Sequence, residues 1–300
     1  MPYIRHYYFK ENNIIKLQQH TLKIYDMTRL IVFSTFLFCI NVKAQTIDST
    51  IYLCKYSYIW QKDSTNPANK FVDFFYLEVS PKSSKYYSYL KQLGLKNAAY
   101  DLASNKSLDE MVKNQANYFG NCESEIIIYN YLDKKIKVID QPGVNSYFYI
   151  EPLTTPQWEI KNDTTTILYQ LCQKATCNFK GRSYIAWFAP SIPYNLGPWQ
   201  FIGLPGLILK ISDIKNQFVF ECTNLINKPK IRPYFKEYAL AKKIAKEKLR
   251  ELKRLREVSY YDFKKLDEPD ITVTFTNKNG VVGPMPKSKP KPYNPIDLSK

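Results

Sequence analysis

The feature that most constrains the fold is the alternation of apolar and polar residues in short segments along much of the chain. In TIYLCKYSYIW, the side chains of Tyr52, Cys54, Tyr56 and Tyr58 share one face of an extended strand. The composition agrees, because 25 Tyr and 17 Phe stand against only 9 Gly, and aromatic residues favour strands. We therefore predict a mainly β fold, built as an antiparallel curved sheet, a sandwich or a partly closed barrel.

Further segments extend this pattern and add one short helix. The segments KFVDFFYLEV, SSKYYSYL, SYFYI, TTTILYQLCQKATC and RSYIAWFA are predicted strands, and EIIIYNY with KKIKVID is a predicted hairpin. A helix is predicted over about residues 108–118. Ser107 and Glu110 have the spacing of a capping box, in which each side chain bonds a free backbone N–H group at the helix start.

Residues 27–44 are typical of a secretory signal. Arg29 is basic, residues 30–40 are apolar, and Ala44 provides the small residue of a cleavage site. The apolar stretch is too short to cross a bilayer. We expect an exported protein, periplasmic or associated with the outer membrane, and the alternative is a buried N-terminal helix. We interpret residues 1–26 as a mis-called extension, with translation starting at Met27.

Export limits the function classes that are compatible with the sequence. The net charge of +16 would suit nucleic acid, but an exported chain is not expected to meet it. His6 and His20 both precede the predicted cleavage site. A chain without histidine cannot form a Ser-His-Asp triad, a Cys-His pair or a His-ligated zinc site. We predict no enzymatic activity, no cofactor and no metal.

Five cysteines remain after the predicted cleavage, and they are candidates for disulfides with the pairing left open. They are Cys54, Cys122, Cys172, Cys177 and Cys222. Five is odd, so at least one stays free or pairs between chains. On one extended strand, Cys172 and Cys177 would be about 16 Å apart, too far for a disulfide. A buried free thiol is the alternative for each.

The character of the chain changes after residue 230. Residues 231–268 are predicted to form a basic amphipathic helix, with nine basic and four acidic residues between Lys236 and Glu257. Its apolar stripe is Leu240, Ala241, Ile244, Ala245, Leu249, Leu252 and Leu255. Such a helix docks on a sheet with a solvated basic face, or lies on a membrane surface. Residues 269–300 are Pro- and Lys-rich, which predicts an extended, poorly ordered tail.

The segment GPWQFIGLPGLILKISD combines a turn with an apolar run. Pro205 followed by Gly206 meets the residue demands of a type II β-turn. Alternation after Gly206, a polar link over residues 213–216 and the segment QFVFEC then predict a hairpin. A turn entering a core strand is our main interpretation. The alternative is a ligand or partner contact surface at Trp187, Trp199 and Phe201, with the last two exposed.

Residues Gly203, Leu204, Pro205, Gly206, Leu207 and Ile208 resemble the signature of the GLPGLI family. Upstream, Trp158, Lys174-Ala175, Gly181-Arg182, Ala186-Trp187-Phe188 and Gly197-Pro198 also resemble the family pattern, as do SSKYYSY and NPIDL. The similarity covers most of residues 80–220 and the C-terminal end, and we expect a β-rich domain of this type over residues 45–230. It implies an exported protein of Gram-negative bacteria, encoded near TonB-dependent outer-membrane receptors, and no established activity.

Three functions follow as hypotheses. The first is a non-enzymatic accessory protein of the envelope or periplasm, with an outer-membrane receptor or another envelope protein as partner, and with peripheral membrane contact through the basic helix. The second is a carrier or binding protein for an apolar ligand. The third is a hydrolase that uses two carboxylates, either Asp73 with Glu78 or Asp101 with Asp109, whose spacing is also that of ordinary surface acids.

Overall fold

The computed structural model describes residues 50–119, 122–230, 233, 235–236, 238, 240–270, 274–276, 282–284 and 292–299. These residues belong to one compact unit, Asp48–Lys300. The predicted signal over residues 27–44 and the 26 residues before it lie outside the described part of the chain. Much of the predicted tail, residues 271–273, 277–281, 285–291 and 300, lies outside it as well.

Fourteen strands and four helices are found in the described residues. The strands are β1 (Tyr52–Gln61), β2 (Lys70–Val79), β3 (Ser83–Ser88), β4 (Ile126–Asn130), β5 (Lys135–Asp140), β6 (Tyr147–Pro152), β7 (Glu159–Ile167), β8 (Gln170–Phe179), β9 (Arg182–Ala189), β10 (Leu207–Asp213), β11 (Phe218–Asn227), β12 (Lys242–Lys243), β13 (Thr274–Thr276) and β14 (Val282–Pro284). The helices are α1 (Tyr89–Ala103), α2 (Leu108–Phe119), α3 (Lys246–Val258) and α4 (Tyr260–Asp267).

Twelve of these strands form one open sheet, in the order β12-β6-β5-β4-β3-β2-β1-β11-β10-β9-β8-β7. It consists of two antiparallel meanders, β1–β6 and β7–β11, which join where β1 pairs with β11. The short strand β12 adds to β6 in parallel. The prediction of a mainly β fold with an antiparallel sheet and a few helices is therefore confirmed.

The main core lies on one face of this sheet. Cys54, Tyr56, Tyr58 and Trp60 alternate along β1 and are all buried, as strand geometry requires. Residues 190–206, which connect β9 to β10, cover part of the same face. The Tyr56 hydroxyl donates to the Ile208 carbonyl at 2.7 Å and fixes β1 to the start of β10.

Two predicted segments differ from the observed elements. The strand predicted in SSKYYSYL ends at Ser88, whose hydroxyl accepts from the Lys91 N–H group at 3.1 Å and caps α1. The strand predicted in TTTILYQLCQKATC is a hairpin, because Leu168 and Tyr169 both take positive φ and turn β7 into β8. The helix at residues 108–118 is confirmed as α2, and the capping box of Ser107 and Glu110 is present.

The basic segment is not one continuous helix. α3 and α4 form only from Lys246 onward, and β12 precedes them. Leu240 takes a φ of +60° and is 94% exposed, so the first part of the predicted apolar stripe is wrong. Within α3, Leu249 and Leu252 are buried against Tyr147 of β6.

The end of the predicted tail is docked rather than free. Asn294 is buried and donates to the Gln61 carbonyl at 2.8 Å. The Leu298 N–H group donates to the Lys180 carbonyl at 2.9 Å. These bonds hold residues 292–299 against β1 and the β8–β9 turn, because the backbone finds partners there.

Candidate functional site

The signature turn is a tight three-residue turn, and not the predicted type II β-turn. The Gly206 N–H group donates to the Leu204 carbonyl at 2.8 Å, across Pro205. The Leu207 N–H group, which would close a hydrogen-bonded β-turn, donates instead to the Ile192 carbonyl at 3.1 Å. The connection from β9 therefore competes for this group and tightens the turn. The prediction of a turn that enters a core strand is confirmed, because β10 begins at Leu207 and is buried.

Both signature glycines are required by close packing. A Cβ atom on Gly206 would meet the backbone of Ala189 and Pro190, and one on Gly203 would meet the methyl group of Thr155. Leu204, Leu207 and Ile208 are buried. The Gly203–Ile208 signature is thus part of the core of this protein.

The predicted exposed contact surface at Trp199 and Phe201 is wrong. Phe201 is fully buried and Trp199 is 8% exposed. Their rings meet edge to face at 5.3 Å between centroids, which packs both into the core. Trp187 is half-buried on β9, with the Lys174 ammonium 5.9 Å from its ring. These three residues do not share one exposed face.

Trp199 lies instead in the wall of a cavity on the core face of the sheet, which we call the aromatic chamber. Its floor consists of six aromatic side chains on the central strands: Tyr58, Trp60, Phe75, Tyr86, Phe218 and Phe220. Its roof consists of side chains of α3 and of residues 293–296. The volume is about 90 Å³.

A second cavity adjoins the aromatic chamber under α3, and we call it the outer cavity. Its volume is about 340 Å³. Both cavities are lined by Glu125, Trp199, Lys253, Tyr293 and residues 295–296. The two spaces therefore meet at this shared wall. Together they form the candidate binding site of the protein.

The charged groups of the roof are bound to the protein's own carboxylates. The Lys253 ammonium lies 2.8 Å from Asp140 and 2.9 Å from Glu125. Burial pushes the pKa of Asp140 up, but Lys253 and a hydrogen bond from Ser124 outweigh this and hold it below its usual value. Asp140 and Lys253 are therefore an ion pair.

Trp199 is held in an unusual backbone conformation at the shared wall. Its φ is +54°, a region that non-glycine residues seldom adopt and that is found at functional sites. The indole N–H group donates to Glu125 at 3.1 Å. The Lys180 ammonium lies 5.0 Å from the ring centroid, as in a cation–π contact.

Tyr86 brings an unused hydroxyl to the aromatic chamber. The residue is 4% exposed, and no hydrogen-bond partner for its hydroxyl is found among the described residues. Burial, with smaller effects of Tyr58 and Asp73, raises the pKa of Tyr86 well above its usual value. The group is therefore a protonated donor at neutral pH.

The proposed carboxylate pairs are not brought together. Asp73 and Glu78 are five positions apart on β2, so alternation places them on opposite faces of the sheet. Glu78 accepts hydrogen bonds from Thr50 and Tyr87. Burial raises the pKa of Asp73 to about 7, although Glu123 N–H donates to it.

The carboxylates of the second pair, Asp101 and Asp109, lie in different environments. Asp101 is buried and bonded to Lys106 and Asn114, whereas Asp109 is exposed in the first turn of α2. Neither pair faces a cavity that the two carboxylates share. The geometry of a two-carboxylate hydrolase is absent from these four residues.

The five candidate disulfide cysteines are free thiols in the structure. Cys172 and Cys177 lie on one strand, β8, as considered above, and are not paired. The Cys222 thiol donates to the Asn224 carbonyl at 3.3 Å, and the neighbouring Cys222 together with burial raises the pKa of Cys54. Burial raises the pKa of Cys122 to about 12.

Neither a metal site nor a membrane-spanning helix is found in the described residues. No three His, Cys, Asp or Glu side chains there come together as a metal site requires. Among the described helices, none combines the length and apolar character needed to cross a bilayer. The candidate site therefore consists of the aromatic chamber and the outer cavity.

Sequence reasoning missed most of the roof and wall, notably Glu125, Lys253, Arg256 and Tyr293. The spacing within α3 could have indicated that two of these residues face the sheet. Lys253 and Arg256 stand four and seven positions after the buried Leu249. This is the spacing of a single helix face. Basic side chains at these positions indicate a charged group turned toward the sheet.

Comparisons with known proteins add limited information. Residues 178–210 match the model of a family described as a protein of unknown function (Porph_ging). The matched stretch contains the Gly203–Ile208 signature. No curated protein matches the chain.

Two solved structures of PNGF-II, in space groups C2 and P21, match part of this structure. Sequence identity is 10% and 11%, with TM-scores of 0.44 and 0.45. The likeness covers 69% and 70% of this chain but 34% and 35% of the PNGF-II chains. This chain thus spans about a third of their length, and the likeness carries no functional conclusion.

Proposed function

We propose that the protein is an exported, non-enzymatic accessory protein of the cell envelope that holds a small apolar ligand in the aromatic chamber and the outer cavity. The supporting observation is the pair of adjoining cavities beside an aromatic floor. The outer cavity, about 340 Å³, falls within the range of small-molecule sites, roughly 300–1,000 Å³. The aromatic floor of the chamber supplies the apolar surface that is typical of such sites.

Localisation and partner rest on the sequence. The predicted signal at residues 27–44 supports export, and the Gly203–Ile208 segment resembles the GLPGLI signature. That resemblance supports a link to TonB-dependent outer-membrane transport. The proposed partner is an outer-membrane receptor or another envelope protein.

Two observations support a role without catalysis. The carboxylate pairs Asp73 with Glu78 and Asp101 with Asp109 are separated. In the shared wall, Glu125 is engaged by both Lys253 and Trp199. A carboxylate held by a cation and an indole N–H group is a positioned structural group.

The proposed site is tested by measuring the binding of toluene, a small apolar probe, to the full chain with saturation-transfer NMR. Ile296 lines both cavities, so Ile296→Trp fills space there, whereas Leu171→Trp adds the same ring at a position 65% exposed on β8. We expect binding in the wild type and in Leu171→Trp, and loss in Ile296→Trp. Absence of binding in the wild type, or equal binding in all three, refutes the proposed ligand site.

The accessory role is tested separately by capture from envelope membranes. The tagged protein is expected to retain an outer-membrane receptor or another envelope protein after crosslinking. Recovery of the tagged protein alone would contradict the proposed partner.

A further inference from the structure

We infer that the aromatic chamber recognises an uncharged aromatic molecule that accepts a hydrogen bond from the Tyr86 hydroxyl. The inference rests on the proposed ligand-binding function and adds the chemical class of the ligand. Three independent observations carry it: an unpaired buried donor, a floor of stacked rings and a balanced set of charges.

The first observation is the Tyr86 hydroxyl. Tyr86 lines the aromatic chamber and is 4% exposed, and its hydroxyl has no hydrogen-bond partner among the described residues. A buried polar group left unpaired costs about 1–3 kcal/mol. A ligand oxygen that accepts this hydrogen bond removes that penalty, so the site favours molecules carrying one.

The second observation is the arrangement of rings around that hydroxyl. The Tyr86 and Phe75 rings are stacked, with 4.6 Å between centroids and 10° between planes. Tyr58 is stacked on Phe220 at 4.3 Å and on Trp60 at 4.9 Å. Flat rings offer faces and edges that aromatic ligands pack against in preferred geometries.

The third observation is the charge balance. The aromatic chamber is lined by three cationic and three anionic side chains: Lys62, Lys253, Arg256, Glu123, Glu125 and Glu257. Each cation has a carboxylate within 4 Å: Lys253 at 2.9 Å from Glu125, with Arg256 at 2.9 Å and Lys62 at 3.7 Å from Glu257. A charged ligand would compete with these pairs and give up its own hydration, so an uncharged one is favoured.

Size permits a single substituted ring. A cavity of about 150 Å³ is enough for benzene in a protein core, and the outer cavity of about 340 Å³ exceeds this. The aromatic chamber, about 90 Å³, receives the acceptor end beside Tyr86. The ring then lies at the shared wall beside Trp199 and Lys253, with one edge against the aromatic floor and the remainder in the outer cavity.

The test compares four probes of similar size on the full chain by isothermal titration: acetophenone, toluene, benzoate and benzylammonium. We expect acetophenone to bind about 2- to 12-fold tighter than toluene, the range that a neutral hydrogen bond contributes. Benzoate and benzylammonium should bind more weakly than acetophenone.

Two matched variants locate the hydrogen bond. Tyr86→Phe should reduce acetophenone affinity to that of toluene and leave toluene binding unchanged. Tyr184→Phe is the control, because Tyr184 is also buried with an unpaired hydroxyl but lies outside both cavities. Both variants remove only a hydroxyl without a partner, so both should fold.

The outcomes separate the inference from the proposed function. Toluene binding without preference for acetophenone, or acetophenone binding that survives Tyr86→Phe, overturns the inference and leaves the ligand site standing. Tighter binding of either charged probe also overturns it. If none of the four probes binds, both the inference and the ligand site are refuted.

Discussion

Replacing Gly206 with alanine should destabilise the protein, because this glycine packs against the main chain. A Cβ atom there would lie 2.7 Å from the Ala189 carbonyl carbon and 2.9 Å from Pro190 Cα, and closer still to the Ala189 oxygen. Ordinary contact begins at 3.4 Å. The turn must therefore move away from β9 by most of an ångström.

The expected loss follows from two opposing effects. Overpacking a close contact costs roughly 1–3 kcal/mol, and the upper end applies because backbone atoms cannot rotate out of the way. Alanine restricts the unfolded chain and returns at most about 1 kcal/mol, and the strain of alanine at a φ of +157° reduces this gain. We expect a net loss of about 2 kcal/mol, which lowers Tm by about 4–8 °C for a chain of this size.

Urea unfolding followed by tryptophan fluorescence measures the free energy of unfolding. Gly283→Ala is the control, because a Cβ atom at Gly283 has no atom of the described residues within 4 Å, and it should change stability by less than about 0.5 kcal/mol. If Gly206→Ala proves as stable as Gly283→Ala, the close packing of the signature turn is refuted.

Two further predictions concern buried charge. Burial raises the pKa of Asp73 to about 7, against about 3.9 when unfolded. The buried, protonated carboxyl of Asp73 therefore stabilises the fold fully below pH 4, and this stabilisation is lost by pH 7. The free energy lost is at most about 4 kcal/mol. Asp73→Asn should remove this pH-dependent loss of stability. The measurement is the free energy of unfolding of the wild type and of Asp73→Asn at pH 4 and pH 7, and an equal loss in the two proteins would contradict the prediction. Lys253→Met leaves Asp140 buried without its cation and should cost about 3–5 kcal/mol in urea unfolding. Arg254→Met is the control, because it breaks only the exposed pair with Glu251, and it should cost at most about 1 kcal/mol. Equal losses of stability in Lys253→Met and Arg254→Met would refute the buried ion pair of Lys253 and Asp140.

Much of the sheet could be predicted from the sequence because its signal is local. Residues along β1 and β10 alternate between the core face and the opposite face, and one strand displays the whole pattern. Helix α1 was not predicted, because its apolar residues are not concentrated on one face and because a strand ends at Ser88, immediately before the helix. Ser88, which caps α1, stands within the segment SSKYYSYL, and this segment has the alternation of a strand.

The candidate site could not be predicted in the same way because its parts are distant in sequence. Tyr86 lies on β3, Trp199 in the connection before β10, Lys253 on α3, and Tyr293 in the docked segment at residues 292–299. Sequence pattern indicates which residues are buried, but not which buried residues face each other. The exposed surface predicted for Trp199 failed for this reason.

The joining of the two meanders at β1 and β11 has a consequence for how the molecule assembles. Ser57 and Glu221, hydrogen bonded across this seam, are 164 residues apart along the chain. Pairings this distant in sequence close slowly, whereas the hairpins on either side form from neighbouring segments. We therefore expect the hairpins of each meander to form before the seam. Since Tyr58 and Phe220 meet across it, the aromatic floor is completed only when the two meanders pair.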